Sequence, residues 1–288
     1  MNNTEFVLEK RFKKEHLGLF SRETVFAAQA VLSAALSIQS VDISRDVRIK
    51  EGVHNFVTAW DFTSEKTIMD LIKKEYPNVP ILSEESASHL QDSVRKKELW
   101  VIDPLDGTTN ARYNRGYFCI ATALVKYGKP YNCAVYNPTR DELFYAQRGI
   151  GTFLNGKKIE IEKEGDLQKA SISSDTGYDP SVILFHLDLL KAVRPTWIAV
   201  HGSGILKMAE IAAGRYNLYF NADVKPWDNA SGFALIEMAG GIYRGLDGRK
   251  IDIFSKDIVV GNKSLVEEFV RKTMPIIKGY KFAPKKFS

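Results

Sequence analysis

Apolar residues alternate with polar ones, or form short blocks between turn residues, through much of the first half of the chain. Both patterns predict β-strands. FCIATALVKYGKPYNCAVYNP predicts two strands joined by a KYGKP turn, and ELFYAQRGIGTFLNGKKIEI predicts two more with glycine turns. The Ala-rich residues 21 to 40 instead predict a helix. Its uncharged stretch, Val25 to Ile38, is expected to be buried.

Acidic residues follow three further predicted strands in this half. VHNFVTAWDFTSEKTIMDLIKKEYP predicts a strand from Phe56 to Trp60, then Asp61, then a helix that begins near Ser64 with Ser64 as its N-cap. VPILSEES predicts a short strand that ends on Glu84 and Glu85. ELWVIDPLDGTTN predicts another strand of the same kind. The first half is therefore expected to be α+β with an antiparallel sheet.

The pattern changes after about residue 150. Strand-like segments (ASISS, WIAVHGS, YNLYFN) alternate with helical ones (SVILFHLDLLKAV, GILKMAEIAAG, NASGFALIEMAGG), which predicts an α/β arrangement. The chain shows no internal repeat and no low-complexity linker. We therefore predict two subdomains that share an interface, at residues 1–148 and 149–288.

Composition and charge narrow the classes of partner. The net charge is +5 with scattered basic residues, and the densest run, KGYKFAPKKFS, is expected to be a solvated tail, so nucleic acid is not the expected partner. The longest uncharged apolar stretch is too short to cross a bilayer, so no membrane partner is expected. Cys119 and Cys133 lie in apolar segments without metal or redox spacing, which indicates core thiols and a cytoplasmic location.

The segment WVIDPLDGTTN places two acids at the end of a buried strand. Buried carboxylates are costly unless something compensates their charge. Pro104 stiffens the turn, so Asp106 is brought to the same side as Asp103, with the Leu105 carbonyl between them. Two carboxylates and a carbonyl form a hard-oxygen site suited to Mg²⁺.

The next two residues, Gly107 and Thr108, add an anion site beside those acids. A helix that starts there exposes free backbone N–H groups, and its dipole favours a phosphate. Elsewhere, Asp61, Glu84 and Asp228 each have an ordinary explanation as a helix cap or a surface acid when taken singly.

Four motifs together resemble the inositol monophosphatase family of Mg²⁺-dependent, lithium-sensitive phosphatases. They are VTAWD (Val57 to Asp61), EES (Glu84 to Ser86), DPLDGT (Asp103 to Thr108) and WDNASG (Trp227 to Gly232). They stand in the family's order and spacing, and the likeness covers about residues 20 to 270. The resemblance implies a layered αβαβα sandwich of the inositol monophosphatase and fructose-1,6-bisphosphatase type, and a homodimer.

The resemblance also implies two to three bound Mg²⁺ ions. The first ion would be held by Glu84, Asp103 and the Leu105 carbonyl. The second would be held by Asp103, Asp106 and Asp228. A weaker third ion would use Glu84 and Asp61.

The implied catalytic residues are Glu84, Thr108 and Asp61, with Thr108 and Glu84 orienting and helping to deprotonate the attacking water. The amides of Gly107 and Thr108 would bind phosphate. Lys50 matches a lysine on the family's mobile active-site loop.

The implied substrate contacts are less close to the family pattern. Gly202, Ser203 and Gly204 fall where the family has a G-T-A loop. Asn221 and Lys225 fall where the animal inositol enzymes have a Glu and a His. These two departures put strict inositol specificity in doubt.

The expected activity is hydrolysis of a small phosphorylated polyol or sugar, first of all inositol 1-phosphate. One alternative is a fructose-1,6-bisphosphatase or another sugar or nucleotide phosphatase of the same family, because TNARYNRGYF has some likeness to archaeal members that hydrolyse fructose 1,6-bisphosphate. Another is a non-catalytic scaffold, since some bacterial relatives act as RNA-polymerase partners.

Overall fold

Residues 18–51, 55–85, 97–163, 165–175 and 180–280 are described by a computed structural model of the chain. Within these ranges the chain forms seven helices. They are α1 (Arg22–Ile38), α2 (Ala59–Glu75), α3 (Thr108–Arg112), α4 (Pro180–Val193), α5 (Gly204–Ala212), α6 (Pro226–Met238) and α7 (Lys263–Gly279).

The larger sheet has seven strands in the order β3-β4-β5-β6-β7-β8-β9. All its neighbouring strands are antiparallel except β3 and β4. The strands are β3 (Ile81–Ser83), β4 (Glu98–Asp106), β5 (Cys119–Lys126), β6 (Lys129–Asn137), β7 (Glu142–Gln147), β8 (Gly151–Leu154) and β9 (Lys157–Ile159).

The second sheet has five strands in the order β11-β10-β12-β14-β13. Its first three strands are parallel, and the last two pair antiparallel. The strands are β10 (Ser171–Ser174), β11 (Trp197–Ala199), β12 (Leu218–Asn221), β13 (Ile242–Arg244) and β14 (Ile258–Gly261). A separate hairpin joins β1 (Arg48–Glu51) to β2 (Asn55–Val57).

The three hydrophobic clusters show that helices and sheets are stacked in five layers. Helices α1 and α2 cover one face of the larger sheet. Helices α5 and α6 fill the space between the two sheets. Helices α4 and α7 cover the outer face of the smaller sheet. This is the layered αβαβα sandwich that the sequence predicted, with an α+β part followed by an α/β part.

Several local predictions are confirmed. Helix α1 contains the apolar stretch Val25 to Ile38, with five alanines and other small or branched side chains packed against the sheet. The KYGKP turn joins β5 to β6 as predicted. The glycine turns are also present, but they join three strands, β7, β8 and β9, where the sequence predicted two. Cys119 and Cys133 are free, buried thiols.

The predicted start of the second helix is wrong. Helix α2 begins at Ala59 with Thr58 as its N-cap, and Ser64 lies buried inside it. The reason is a reciprocal cap: the Thr58 hydroxyl oxygen accepts the backbone N–H of Trp60, and the Asp61 carboxylate accepts the backbone N–H and the hydroxyl of Thr58. Asp61 therefore lies in the first turn of a helix and not at a strand end.

Other elements differ from or extend the predictions. Strands β13 and β14 and helix α7 were not predicted, and they make the smaller sheet mixed. The larger sheet continues to Ile159, while the division into residues 1–148 and 149–288 stays a prediction. The last eight residues of the expected tail lie outside the described residues. In the part of the chain that the structure describes, no helix has both the length and the apolarity needed to cross a membrane.

His186 links helix α4 to two strands of the smaller sheet. Its Nε2 accepts a hydrogen bond from the backbone N–H of Ala222 at 3.0 Å, so the proton lies on Nδ1, which is 2.9 Å from Ser174 Oγ. The side chain is only 4% exposed. Burial lowers the pKa of His186 to about 4.

We expect His186 to make the fold sensitive to acid. The unfolded chain takes up this proton near pH 6.5 and the folded chain only near pH 4, so stability falls as the pH falls between these values. His186→Gln keeps an acceptor for Ala222 but cannot titrate. Lowering the pH from 7 to 5 should therefore reduce the unfolding free energy of the wild type by about 2 kcal/mol more than that of the variant. Urea unfolding at both pH values measures this, and a constant difference would contradict it.

Candidate active site

The end of strand β4 carries the two central acids. Its pairing with β5 is regular up to Asp103 opposite Ala121, then shifts before Asp106 opposite Cys119. This irregularity re-aims the side chains at the strand end. Asp103 is only 2% exposed, and its carboxylate accepts the backbone N–H of Leu105 at 3.1 Å.

Asp106 is held by the start of helix α5 in the middle layer. Its Oδ2 accepts a hydrogen bond from the Ser203 hydroxyl at 2.6 Å and from the backbone N–H of Ile205 at 2.7 Å. Ser203 is the N-cap residue of that helix, and Ile205 lies in its first turn, where backbone N–H groups lack partners within the helix. The predicted substrate loop residue Ser203 is thus bound directly to a predicted metal ligand.

Asp61 and Asp228 occupy the same position in two different helices. Each lies in the first turn and accepts the backbone N–H of the residue before the helix, Thr58 at 2.8 Å for Asp61 and Lys225 at 2.7 Å for Asp228. Helices α2 and α6 come from different layers of the sandwich. Besides burial, the carboxylate of Glu84 raises the pKa of both Asp61 and Asp228, so the two helix N-termini point toward the same region, and each brings one carboxylate.

Thr108 lies between Asp61 and the end of strand β4, where the sequence predicted an anion site. Its hydroxyl lies 2.8 Å from Asp61 Oδ1 and 2.9 Å from the Leu105 carbonyl oxygen. Helix α3 begins at Thr108, as predicted, and Gly107 precedes it with a positive φ of 92°. A Cβ at Gly107 would lie 2.9 Å from the carbonyl oxygen of Tyr117, so only glycine fits this turn.

The acids interact strongly enough to change one another's ionisation. Burial, followed by the carboxylates of Glu84, Asp106 and Asp228, raises the pKa of Asp103 well above its usual value. Burial, then Asp106 and Glu84, does the same for the pKa of Asp228. Burial raises the pKa of Asp106 to about 6. This mutual repulsion shows that the four carboxylates share one region.

Lys50 lies beside this acidic group. It lies on β1, and its ammonium binds Glu84 at 2.8 Å and also contacts the carboxylate of Glu85. Burial lowers the pKa of Lys50, but the two carboxylates outweigh it and raise that pKa above its usual value. Burial also raises the pKa of Glu85 to about 7. Ser86, the third residue of the EES motif, lies outside the described residues.

The donor set fits a hard divalent cation. Carboxylates of Glu84, Asp103, Asp106 and Asp228 and the Leu105 carbonyl are the oxygen ligands that Mg²⁺ prefers. Across the described residues, however, no three His, Cys, Asp or Glu side chains form a closed metal cage. The oxygens of Glu84, Asp106 and Asp228 point toward their hydrogen-bond donors, which explains this geometry.

The residues predicted to contact substrate belong to a hydrogen-bond network that the sequence analysis missed. Asp175 accepts the backbone N–H of Gly202 at 2.8 Å and the Tyr219 hydroxyl at 3.0 Å. That hydroxyl in turn accepts from the Asn221 amide at 3.1 Å. A Cβ at Gly204 would lie 2.9 Å from the Tyr219 hydroxyl. The Gly202 loop and Asn221 are therefore linked to the carboxylate of Asp175, which comes directly after strand β10.

Lys225 is placed differently from the loop residues. Its backbone N–H donates a hydrogen bond to the carboxylate of Asp228, and its ammonium pairs with Asp223 at 3.3 Å. Asn110 supports the loop from the other side, because its amide donates to the carbonyl oxygens of His201 at 2.6 Å and Gly202 at 3.3 Å. All predicted site residues are thus in the described part of the chain, and the Asn110, Asp175 and Tyr219 contacts add to them.

Comparisons with known proteins agree with this geometry. A family model described as "Inositol monophosphatase family" matches residues 13–278. The Nus factor SuhB of Xylella fastidiosa is 32% identical over 280 residues, covering 90% of this chain and 98% of that protein. A fructose-1,6-bisphosphatase/inositol-1-monophosphatase of Thermotoga maritima is 30% identical, covering 81% and 88%. The solved inositol monophosphatase of Anabaena (Nostoc) superposes with a TM-score of 0.77 at 28% identity, covering 88% and 95%.

Removing the Tyr219 hydroxyl should test the network. Tyr219 is 1% exposed, so Tyr219→Phe leaves the Asn221 amide and one oxygen of Asp175 without this partner. We expect a loss of about 2 kcal/mol in unfolding free energy, measured by urea denaturation. Tyr127→Phe, at an 80% exposed tyrosine, is the matched control and should change nothing. A loss below about 0.5 kcal/mol at Tyr219 would count against the network.

Proposed function

Since the chain belongs to the inositol monophosphatase family, we propose that it is a Mg²⁺-dependent phosphatase that hydrolyses a small phosphate monoester by direct attack of water. The pairing of Thr108 with Asp61 beside Asp103 and the N-terminus of helix α3 is the observation that carries this proposal. The family match and the oxygen donor set support it. Nothing in the site resembles a nucleophilic triad, so no covalent intermediate is proposed.

The proposed metal ligands are the residues that the four motifs imply. Glu84, Asp103 and the Leu105 carbonyl would hold one Mg²⁺, and Asp103, Asp106 and Asp228 a second. Glu84 and Asp61 would contribute to a weaker third site. Bound metal would lower the pKa of water and neutralise charge on the attacking and leaving oxygens.

The chain's own residues provide the proton path. The Thr108 hydroxyl would pass its proton to Asp61 Oδ1 as its oxygen takes a proton from the attacking water, so that the proton lost by the water ends on Asp61. Asp61 is kept in place because its other oxygen accepts both the N–H and the hydroxyl of Thr58. Burial raises the pKa of Asp61 to about 6, which suits it to receive a proton near neutral pH.

The phosphate and the rest of the substrate would lie on either side of Asp106. The backbone N–H groups of Gly107 and Thr108 face the anion at the start of α3. Gly202, Ser203, Gly204, Asn221 and Lys225 would meet the substrate's hydroxyl groups. Inositol 1-phosphate is the first candidate substrate, and a sugar bisphosphate is the second, which the Thermotoga relative favours.

The binding-scaffold alternative rests on the name of the SuhB relative, a Nus factor. A scaffold under no catalytic demand would be free to lose metal ligands. This chain retains Glu84, Asp103, Asp106 and Asp228 together with Thr108, which favours catalysis. We also propose a cytoplasmic location, as expected from the buried free thiols.

Phosphate release with Mg²⁺ tests the proposal directly. The panel contains inositol 1-phosphate, fructose 1,6-bisphosphate, 3′-phosphoadenosine 5′-phosphate, histidinol phosphate and NADP, with and without lithium. We expect turnover of at least one polyol or sugar phosphate and inhibition by lithium. Asp103→Asn should reduce kcat by more than tenfold with the fold intact, because it weakens the shared ligand of two metal sites.

The matched control is Asp188→Asn, which removes an exposed acid on α4 that pairs only with Lys191 in the described residues. It should leave kcat unchanged. Retention of more than about a tenth of the wild-type rate in Asp103→Asn would contradict the bridging role. Silence of the wild type on the whole panel, with Mg²⁺ bound, would instead favour the scaffold.

We also propose that the protein is a homodimer that uses strand β11. This strand is at the edge of the smaller sheet, and Trp197, Ile198 and Val200 are 62%, 46% and 53% exposed. Neighbouring residues of a strand point to opposite faces, so both faces and the edge are apolar and open. Such edges are covered in stable proteins, and a second copy of the strand is the occupant we propose.

Trp197→Glu should convert the dimer to a monomer, because it buries a charge at the centre of the proposed contact. Light scattering after size-exclusion chromatography at about 10 μM measures the mass. Tyr127→Glu, on the exposed β5–β6 turn, is the control and should stay dimeric. A wild-type protein that is monomeric under these conditions would overturn the proposal.

A further inference from the structure

A lysine and a glutamate on helix α5 form a buried ion pair that the proposed reaction does not use. Lys207 and Glu210 are only 1% and 3% exposed, and their charged groups lie 3.0 Å apart. Glu210 also accepts hydrogen bonds from the Tyr117 hydroxyl at 2.6 Å and from the Arg140 guanidinium at 3.0 Å. The Lys207 ammonium lies 3.4 Å from the ring centre of Tyr216. We call Lys207, Glu210, Tyr117 and Arg140 the Glu210 network.

Burying these charges has a cost that the packing of helix α5 does not require. Burial lowers the pKa of Lys207, and the pairing with Glu210 offsets only part of this effect. The other buried residues of α5 are all apolar, and an apolar side chain of similar volume would often be less costly than a buried charge. Buried ion pairs can instead specify one arrangement of the elements that they join. The position of α5 is therefore the property that the network is expected to control.

Tyr117 connects helix α5 to the turn that precedes helix α3. Its backbone carbonyl oxygen packs against Gly107 and accepts the Asn110 amide at 2.8 Å. Its ring stacks on His201 with the ring centres 4.6 Å apart. Its hydroxyl binds Glu210. One side chain and its carbonyl thus contact the proposed phosphate turn, the residue before the Gly202 loop, and helix α5.

The start of helix α5 in turn holds Asp106. The Ser203 hydroxyl and the Ile205 backbone N–H, which both bind Asp106, move with this helix. Asp106 is also followed directly by the phosphate turn and Thr108. A shift of α5 relative to Tyr117 would therefore move the donors of Asp106 while the turn stays in place.

We propose that the Glu210 network is a positioning device that fixes helix α5 against Tyr117 and thereby sets the place of Asp106 and the affinity of the site for Mg²⁺. The inference rests on the proposed function, because it takes Asp106 as a Mg²⁺ ligand. Tyr117 and Glu210 are positioning residues, which act on Asp106 through Ser203 and Ile205. Loss of the network should weaken Mg²⁺ binding and slow turnover.

Tyr117→Phe tests the device with a small change, because it removes the hydroxyl and keeps the stacked ring and the carbonyl. Mg²⁺ is titrated into the full chain by calorimetry, and kcat is measured on the best substrate of the panel. We expect the dissociation constant for Mg²⁺ to rise, and kcat to fall, by about fivefold or more. Equal Mg²⁺ affinities in wild type and variant would overturn the proposal.

Tyr243→Phe is the matched control. The Tyr243 hydroxyl lies 3.4 Å from Glu237, a glutamate that also pairs with an arginine, Arg148. This group lies at the C-terminal end of helix α6, whereas Asp228 lies in its first turn. The control should leave the Mg²⁺ affinity and kcat unchanged. Equal losses in the two tyrosine variants would show a general effect of removing a hydroxyl and would overturn the positioning role.

Lys207→Met provides a second variant, because it removes the ammonium that binds Glu210 and nearly keeps the side-chain volume. It should weaken Mg²⁺ binding in the same direction. Since both changes act through Glu210, the double variant Tyr117→Phe/Lys207→Met should lose less affinity than the product of the two single losses. Losses that multiply fully would mean that the two residues act independently, which would contradict the network.

Mg²⁺ binding does not depend on turnover, so this test is separate from that of the proposed function. If the wild type binds Mg²⁺ but releases no phosphate, a weaker affinity in Tyr117→Phe would still support the network. Turnover by the wild type with equal affinities would overturn the network alone. A wild type that binds no Mg²⁺ would overturn both.

Discussion

The burial of several carboxylates in one region is the constraint on which the rest of the structure depends. Each acid needs a compensating donor, and helix N-termini provide three of them. Asp61 accepts a backbone N–H at the start of helix α2, and Asp228 accepts one at the start of helix α6. Asp106 accepts a backbone N–H and a serine hydroxyl at the start of helix α5. Lys50 compensates Glu84. Helices from two layers must point their N-termini to the end of β4, where the acids lie. The stacking of the layers therefore determines the geometry of the site.

This arrangement also explains why the most specific sequence motif, DPLDGT, lies at the end of strand β4. The turn after β4 must shift the strand pairing, point Asp103 and Asp106 into one region, and start a helix within a few residues. Gly107 can do this because its backbone adopts a positive φ and approaches the Tyr117 carbonyl closely. Such demands leave few acceptable sequences. A short segment can therefore identify a site whose other parts lie more than a hundred residues away.

Local periodicity predicted helix α1 and the β5–β6 hairpin, and the family resemblance of the motifs predicted the layers. The motifs also predicted that Asp103, Asp106 and Asp228 lie in one region, whereas their roles stay a proposal. The start of α2 was misjudged because Ser64 is a good N-cap in isolation, whereas the Thr58 and Asp61 pair caps reciprocally. The contact of Asp175 with Tyr219 could not be predicted locally. It requires β10 and β12 to be neighbours, which only the order of strands in the folded sheet decides.

Substrate choice must depend on residues away from the reacting phosphate, since the metal ligands and Thr108 would treat any monoester alike. Asn221 offers a neutral amide where the animal inositol enzymes offer a carboxylate, and one of its N–H groups already donates to Tyr219. The nearby negative charge belongs to Asp175, which is occupied by Gly202 and Tyr219. If the proposed function is correct, a substrate hydroxyl there would meet a preorganised, largely satisfied surface. Discrimination through hydroxyl groups would then be weak, and charged groups on the substrate would be the stronger basis for recognition.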